Sequence, residues 1–218
     1  MTGTLPSGLV HAFEIQGVAG DRIFIQAADT TNSYLTPTLK VYKPDGTLLC
    51  EADDNRVAEG LCLLTASGTH TVLFMDQGGP TAPYNVFIQR VSAPLAVTTV
   101  AYGSNTNSAL AAGEVETFGF AGASGDRVYL RMGPHQVALI HPRFIVFRPD
   151  GTSLCSGSAA GLGSKSHVDC LLDATGDYTV ITFEIMGSAS GPYSMFVQDV
   201  ADPVGATQLT YGTSYATS

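Results

Sequence analysis

The sequence predicts an all-β protein built as two tandem jelly-roll or Ig-like antiparallel β-sandwich domains. Three observations carry this prediction. The first is duplicated text: Gly20-Asp21-Arg22-Ile23-Phe24-Ile25 returns as Gly125-Asp126-Arg127-Val128-Tyr129-Leu130. Likewise Tyr42-Lys43-Pro44-Asp45-Gly46-Thr47-Leu48-Leu49-Cys50 returns as Phe147-Arg148-Pro149-Asp150-Gly151-Thr152-Ser153-Leu154-Cys155. The second is short alternating runs of apolar and polar residues, the period of a half-buried strand, with no helical period between them. The third is a turn signal after each run, of which Pro-Asp-Gly is the clearest, because proline presets φ and glycine accepts φ > 0. A chain of 218 residues holding one internal duplication divides into two units of roughly a hundred residues, each large enough for its own core. The expected boundaries are 1–94 for repeat one, 95–204 for repeat two and 205–218 for a tail.

In order, 9–15 alternates around Phe13 and is matched by 114–120 around Phe118. A turn at 17–21 leads to a strand over 22–27. The copies then diverge, with 29–34 polar and 134–140 richer in apolar residues. Pro37 and Pro142 open the next strands, 38–43 and 143–148, which run into the Pro-Asp-Gly turns; there Asp45 and Asp150 read as turn residues. The segments between the paired cysteines, 51–61 and 156–169, are expected to be surface loops tied at the base. Strands follow over 69–75 and 177–185, then Gly-rich turns at 77–80 and 187–191. Closing strands start at Pro83-Tyr84 and Pro192-Tyr193, with Tyr84, Val86 and Ile88 on one face and Phe87 and Gln89 on the other. About seven strands per repeat result.

Charged residues make up only 13% of the chain, far from the high-charge signature of disorder. A net charge of −9, with ten basic residues spread singly, argues against nucleic acid and anionic membrane surfaces as partners. No apolar run approaches the roughly 18 to 20 residues of a membrane span. The first residues lack the basic and apolar regions of a signal peptide, so export implies a removed leader or an interior piece of a longer chain. The four cysteines fall at equivalent places in the repeats, and none has zinc-finger or redox spacing. One disulfide per repeat is expected, Cys50 with Cys62 and Cys155 with Cys170. That pairing implies an oxidising, extracellular or cell-surface setting.

The order of features resembles the bacterial pre-peptidase C-terminal domain family. The matching residues are an aromatic-containing strand before Gly-Asp-Arg, an apolar strand ending in Pro-Asp-Gly, Gly176, Tyr178 and Val180 in a Gly-x-Tyr-x-Val pattern, and a closing Pro-Tyr strand. Repeat one departs by placing His70 where the tyrosine is expected, and a cysteine pair is not a general mark of the family. The resemblance implies a jelly-roll-like sandwich, secretion from a prokaryotic cell and an accessory or surface role. Relatives in collagenases bind calcium and collagen, an activity that needs matching residues to be carried over.

Asp53, Asp54 and Asn55 place three oxygen donors in a row and are the one candidate calcium site, without a counterpart in repeat two. Their bland reading is a solvated acidic loop. The five histidines do not recur at matching positions, and His135 with His141 lacks a third ligand. No Gly-x-Ser-x-Gly elbow or repeated ligand set is present, so neither an enzyme nor a cofactor is expected. Tyr34, Tyr102, Tyr211 and Tyr215 are candidate exposed rings, against packing at strand ends or between domains.

The ends of the repeats suggest a partner. Repeat two is preceded by Ala96-Val97-Thr98-Thr99-Val100-Ala101-Tyr102-Gly103-Ser104-Asn105, which repeat one lacks because Met1 aligns with Thr106. The tail copies it as Gly205-Ala206-Thr207-Gln208-Leu209-Thr210-Tyr211-Gly212-Thr213-Ser214. Two readings stay open. The tail, through Leu209, Tyr211 and Tyr215, completes repeat one of another subunit and propagates head to tail, or it begins the next repeat of a longer covalent array. Both give an extended string of sandwiches with a structural role as stalk or filament. The competing function is a polysaccharide- or protein-binding appendage of a secreted hydrolase.

Overall fold

Alternating side chains and glycine-bearing turns close repeat one into eight strands and repeat two into nine in the computed structural model, which describes residues 1–79, 81–135 and 139–216. Pro80 of the 77–80 turn, 136–138 of the 134–140 segment and 217–218 of the tail lie outside the described residues. Repeat one contains β1 (Thr2–Leu5), β2 (Val10–Gly17), β3 (Arg22–Asp29), β4 (Pro37–Tyr42), β5 (Leu48–Asp53), β6 (Val57–Leu63), β7 (Gly68–Asp76) and β8 (Ala82–Arg90). They form two four-stranded sheets, ordered β1-β8-β3-β6 and β2-β7-β4-β5. Repeat two begins with the short β9 (Thr98–Thr99). It continues through β10 (Asn105–Leu110), β11 (Val115–Gly122), β12 (Arg127–Pro134), β13 (Pro142–Phe147), β14 (Ser153–Ser158), β15 (Ser166–Leu171), β16 (Gly176–Glu184) and β17 (Gly191–Asp199). Its sheets are ordered β10-β17-β12-β15 and β14-β13-β16-β11-β9. The architecture is all-β, with antiparallel neighbours throughout except for β9, which runs parallel to β11.

The two sheets of each repeat meet over an apolar core. In repeat one Ile25, Leu39, Val41, Val72, Phe74 and Tyr84 fill it; in repeat two Phe118, Leu130, Phe144, Val146, Tyr178 and Met195 do so. The Pro-Asp-Gly turns are closed in the same way twice. Asp45 Oδ1 accepts hydrogen bonds from Thr47 N and Oγ1, and Asp150 Oδ1 from Thr152 N and Oγ1. Those bonds hold both carboxyls below the usual aspartate range.

The segment between the cysteines is mostly strand in repeat one and half strand in repeat two, where 159–165 form the loop; this corrects the expected surface loops. Cys50 lies on β5 and Cys62 on β6, in opposite sheets, with Cα atoms 6.0 Å apart. Cys155 on β14 and Cys170 on β15 repeat the arrangement at 6.3 Å. Each disulfide therefore staples the edge of one sheet to the edge of the other.

The two sandwiches are packed sheet face against sheet face. Phe24 on β3 meets Phe147 on β13 and Phe183 on β16, with ring centroids 6.2 Å and 6.0 Å apart. Val91, Val115, Ile145 and Ile181 complete this buried cluster. Polar contacts frame it: Arg143 pairs with Glu59 at 2.6 Å, Thr179 Oγ1 donates to Val91 O, and Asn85 Nδ2 donates to Gly113 O. This third core explains why β3 and β16 are apolar on both faces, since each strand faces its own sandwich on one side and the neighbouring repeat on the other.

Candidate assembly site

The site is an unpaired sheet edge in repeat one, best described through its completed counterpart in repeat two. There, residues 98–100 lie along β11, and the chain then crosses to β17 in the other sheet. Thr98 and Thr99 pair with Phe118 and Gly119, Val100 N donates to Gly119 O at 2.8 Å, and Tyr102 bridges to Val197. Val100 enters the core at 3% exposure, and Tyr102 packs edge-to-face on Phe120 at 6.0 Å. Burial pushes the Tyr102 phenol up to about 12, with Asp126 adding to the shift. Close backbone approach is needed here, because a Cβ built on Gly119 would come within 2.8 Å of Val97 Cγ1. The 96–105 segment thus acts as a short covering strand and plug rather than a full-length strand.

In repeat one the equivalent edge is β2, and among the described residues no segment runs along it. The consequence is measurable in the core. Phe118 and Phe120 are 1% and 2% exposed, whereas their counterparts Phe13 and Ile15 are only half-buried. Val10 and Leu9 are exposed beside them. Below this edge, His70 occupies the place of Tyr178. Tyr178 makes a corner, its hydroxyl donating to Ala174 O at 2.7 Å and accepting from Ala174 N at 3.1 Å. His70 is fully buried, its Nδ1 lies 3.1 Å from Gly68 O, and its Nε2 has no partner among the described residues.

The tail carries the other half. Gln198 clasps the start of the tail: its Nε2 donates to Val204 O and its Oε1 accepts from Val204 N. The same clasp holds the inter-repeat linker, from Gln89 to Leu95. Further on, Gly212 has φ 81° and Thr213 N donates to Thr210 O, as Gly103 has φ 73° and Ser104 N donates to Ala101 O. The tail therefore leaves repeat two with the clasp and the turn of the linker that leaves repeat one. Its apolar side chains have no cover: Leu209, at the position of Val100, is 63% exposed, and Tyr211 and Tyr215 are exposed as well.

The remaining candidates fall elsewhere. Asp53 ends β5 opposite Thr38, and Asp54 Oδ1 accepts from Asn55 N at 2.6 Å, so one donor of the candidate calcium site is engaged locally. No cluster of three or more His, Cys, Asp or Glu suited to a metal occurs among the described residues. His135 is bonded to Ser194 Oγ, and His141 N donates to Glu184 Oε1. Tyr34 is exposed beside Arg56. A recess of about 660 Å³ lies where the linker crosses β11 and β16, between Arg90, Pro94, Leu95, Asp177 and Tyr178.

Fold and staples together define a class: a tandem, disulfide-stapled β-sandwich protein, whose disulfides belong to a non-cytoplasmic setting. Comparison with known proteins adds likeness of fold alone. No family model and no curated protein matches the chain. Among solved structures, it is similar to the pre-peptidase C-terminal domain of a collagenase from Bacillus anthracis, at 14% identity over 49% of this chain and 98% of that one, TM-score 0.39. It is similar to PliG of Aeromonas hydrophila, a periplasmic inhibitor of g-type lysozyme, at 16% identity over 46% and 95%, TM-score 0.37. The PBSX exported protein XepA spans both repeats, at 9% identity over 91% and 85%, TM-score 0.30.

Proposed function

We propose that this chain is a non-catalytic, extracellular or cell-surface structural module that assembles head to tail by strand donation. The tail of one copy lies along β2 of the next as 98–100 lie along β11, before crossing to the opposite sheet. An unpaired strand edge is a template for a strand from another chain, and a contact between unlike ends does not close on itself. The repeating unit is then a sandwich pair joined to its neighbour by the same device that joins its own two halves. A neighbouring repeat of a longer covalent chain would use this edge in the same way.

The observation that carries the reading is a matched exchange of sizes. Where repeat two needs Gly119 to admit Val97, repeat one has Glu14, and the tail has Ala206, which lacks the γ-carbons that approach Gly119. Around the plug the exchange runs the other way: Phe120 becomes Ile15 and Tyr178 becomes His70, while the inserted Val100 becomes the larger Leu209. Gly122, which lies beside the Tyr102 hydroxyl, is retained as Gly17, so Tyr211 finds the same opening. Sedimentation velocity over a concentration series tests the proposal. The full chain is expected to grow in mass with concentration, and a chain lacking 205–218 to remain a monomer. A full chain that stays monomeric, or a truncated chain that assembles equally well, overturns it.

A further inference from the structure

We infer that the outer face of the β10-β17-β12-β15 sheet docks on the outer face of the β2-β7-β4-β5 sheet of a second copy, repeating between molecules the packing seen between the two repeats. This rests on the head-to-tail reading and adds to it a second, independent contact surface. In the intramolecular interface, the first sheet of repeat one presents Phe24, Leu61 and Glu59 to the second sheet of repeat two, which answers with Phe147, Ile145 and Arg143. The register of each repeat fixes the equivalents on the two free faces. Phe24 lies opposite Leu61 as Tyr129 lies opposite Asp169, and Gln26 opposite Glu59 as Arg131 lies opposite His167. On the receiving side, Ile145 pairs with Ile181 as Lys40 pairs with Leu73, and Phe147 with Thr179 as Tyr42 with Thr71.

Superposing the intramolecular arrangement on the free faces sets Tyr129 against Tyr42 in place of Phe24 against Phe147. It sets Asp169 towards Lys40 where Leu61 and Ile145 line one cleft. His167, standing for Glu59, comes towards Asp53, which neighbours Thr38 as Ser158 neighbours Arg143. The apolar cluster of the internal interface is thus replaced by tyrosines and opposite charges, as befits faces exposed to water before assembly. The overall balance agrees. The donating face carries Arg127, Arg131, His167 and one carboxylate, Asp169, in a chain of net charge −9. The receiving face carries Glu14, Glu51 and Asp53 and one cation, Lys40, which lies 3.2 Å from Glu51. Turn glycines that approach the neighbouring repeat keep their conformation on the free side: Gly113 and Gly151, at φ 71° and 78°, correspond to Gly8 and Gly46 at 75° and 81°.

The test uses charge reversal in the full chain. Asp169→Lys and Lys40→Asp lie outside the tail and outside β2, and each is expected to raise the concentration needed for assembly about tenfold. The doubly reversed chain is expected to return towards the parent; dilute Asp169→Lys is expected to melt as the parent monomer does, and dilute Lys40→Asp below it, because the new carboxylate stands directly opposite Glu51. If both single variants assemble like the parent while deletion of 205–218 abolishes assembly, face docking is wrong and strand donation stands. If the single variants weaken assembly but the deletion does not, the faces dock and the donated strand is wrong. A parent chain that never assembles overturns both.

Discussion

Glu59 shows how the inter-repeat interface handles a charge. It is held by Arg143 at 2.6 Å, yet burial raises its carboxyl above the ordinary value of 4.5, and Arg143 offsets this only in part. A carboxyl raised in the fold contributes stability that is fully present below its unfolded value and lost as pH rises through its folded value. The stability of the parent relative to Glu59→Gln is therefore expected to decline as pH climbs from about 4.5 towards neutrality, measured by urea unfolding at several pH values. A difference that grows with pH would show that the ion pair outweighs the desolvation. None of this was legible in the sequence, because Glu59 and Arg143 lie in different repeats and only packing brings them together. Tyr178 and His70 were the opposite case: the Gly-x-Tyr-x-Val pattern singled out Tyr178, and the departure at His70 was visible in the sequence.

At the scale of the element, the disulfides and the open edge share a cause, the position of a strand within its sheet. β5 and β6 are edge strands of opposite sheets; the hairpin marked the return strand that carries Cys50, while the polar stretch from Glu51 to Arg56 that follows it suggested a loop up to the second cysteine. β10 was equally hidden, because Asn105-Thr106-Asn107-Ser108 has little strand propensity and is held by its pairing with β17. The inner strands, with alternating or continuous apolar runs, were legible almost to the residue. The covering by 96–105 sets a measurable contrast. Phe118→Ala removes a fully enclosed ring and is expected to cost about 3 to 5 kcal/mol, while Phe13→Ala on the uncovered β2 is expected to cost roughly half as much in the monomer. Equal losses in urea titrations would mean that β2 is as well covered as β11.

At the scale of the molecule, the two repeats form a pair in close contact, joined by a shared apolar cluster. The signal was present in the continuous apolar runs Ile23-Phe24-Ile25 of β3 and Val180-Ile181 of β16, strands buried on both faces over most of their length. The segment over 22–27 read simply as a strand, because a sequence does not say which of two faces meets the neighbouring repeat. The tail's duplication was legible, and the match between Ala206 and Glu14 became so only once Gly119 was seen against Val97. Strand donation is tested most directly by hydrogen–deuterium exchange read by mass spectrometry on peptides covering β2 and 205–216, across a dilution series. Protection of both segments is expected to rise together with concentration in the full chain, and β2 is expected to exchange at its dilute rate at every concentration in the chain lacking 205–218. Assembly accompanied by unchanged exchange in β2 would contradict the account.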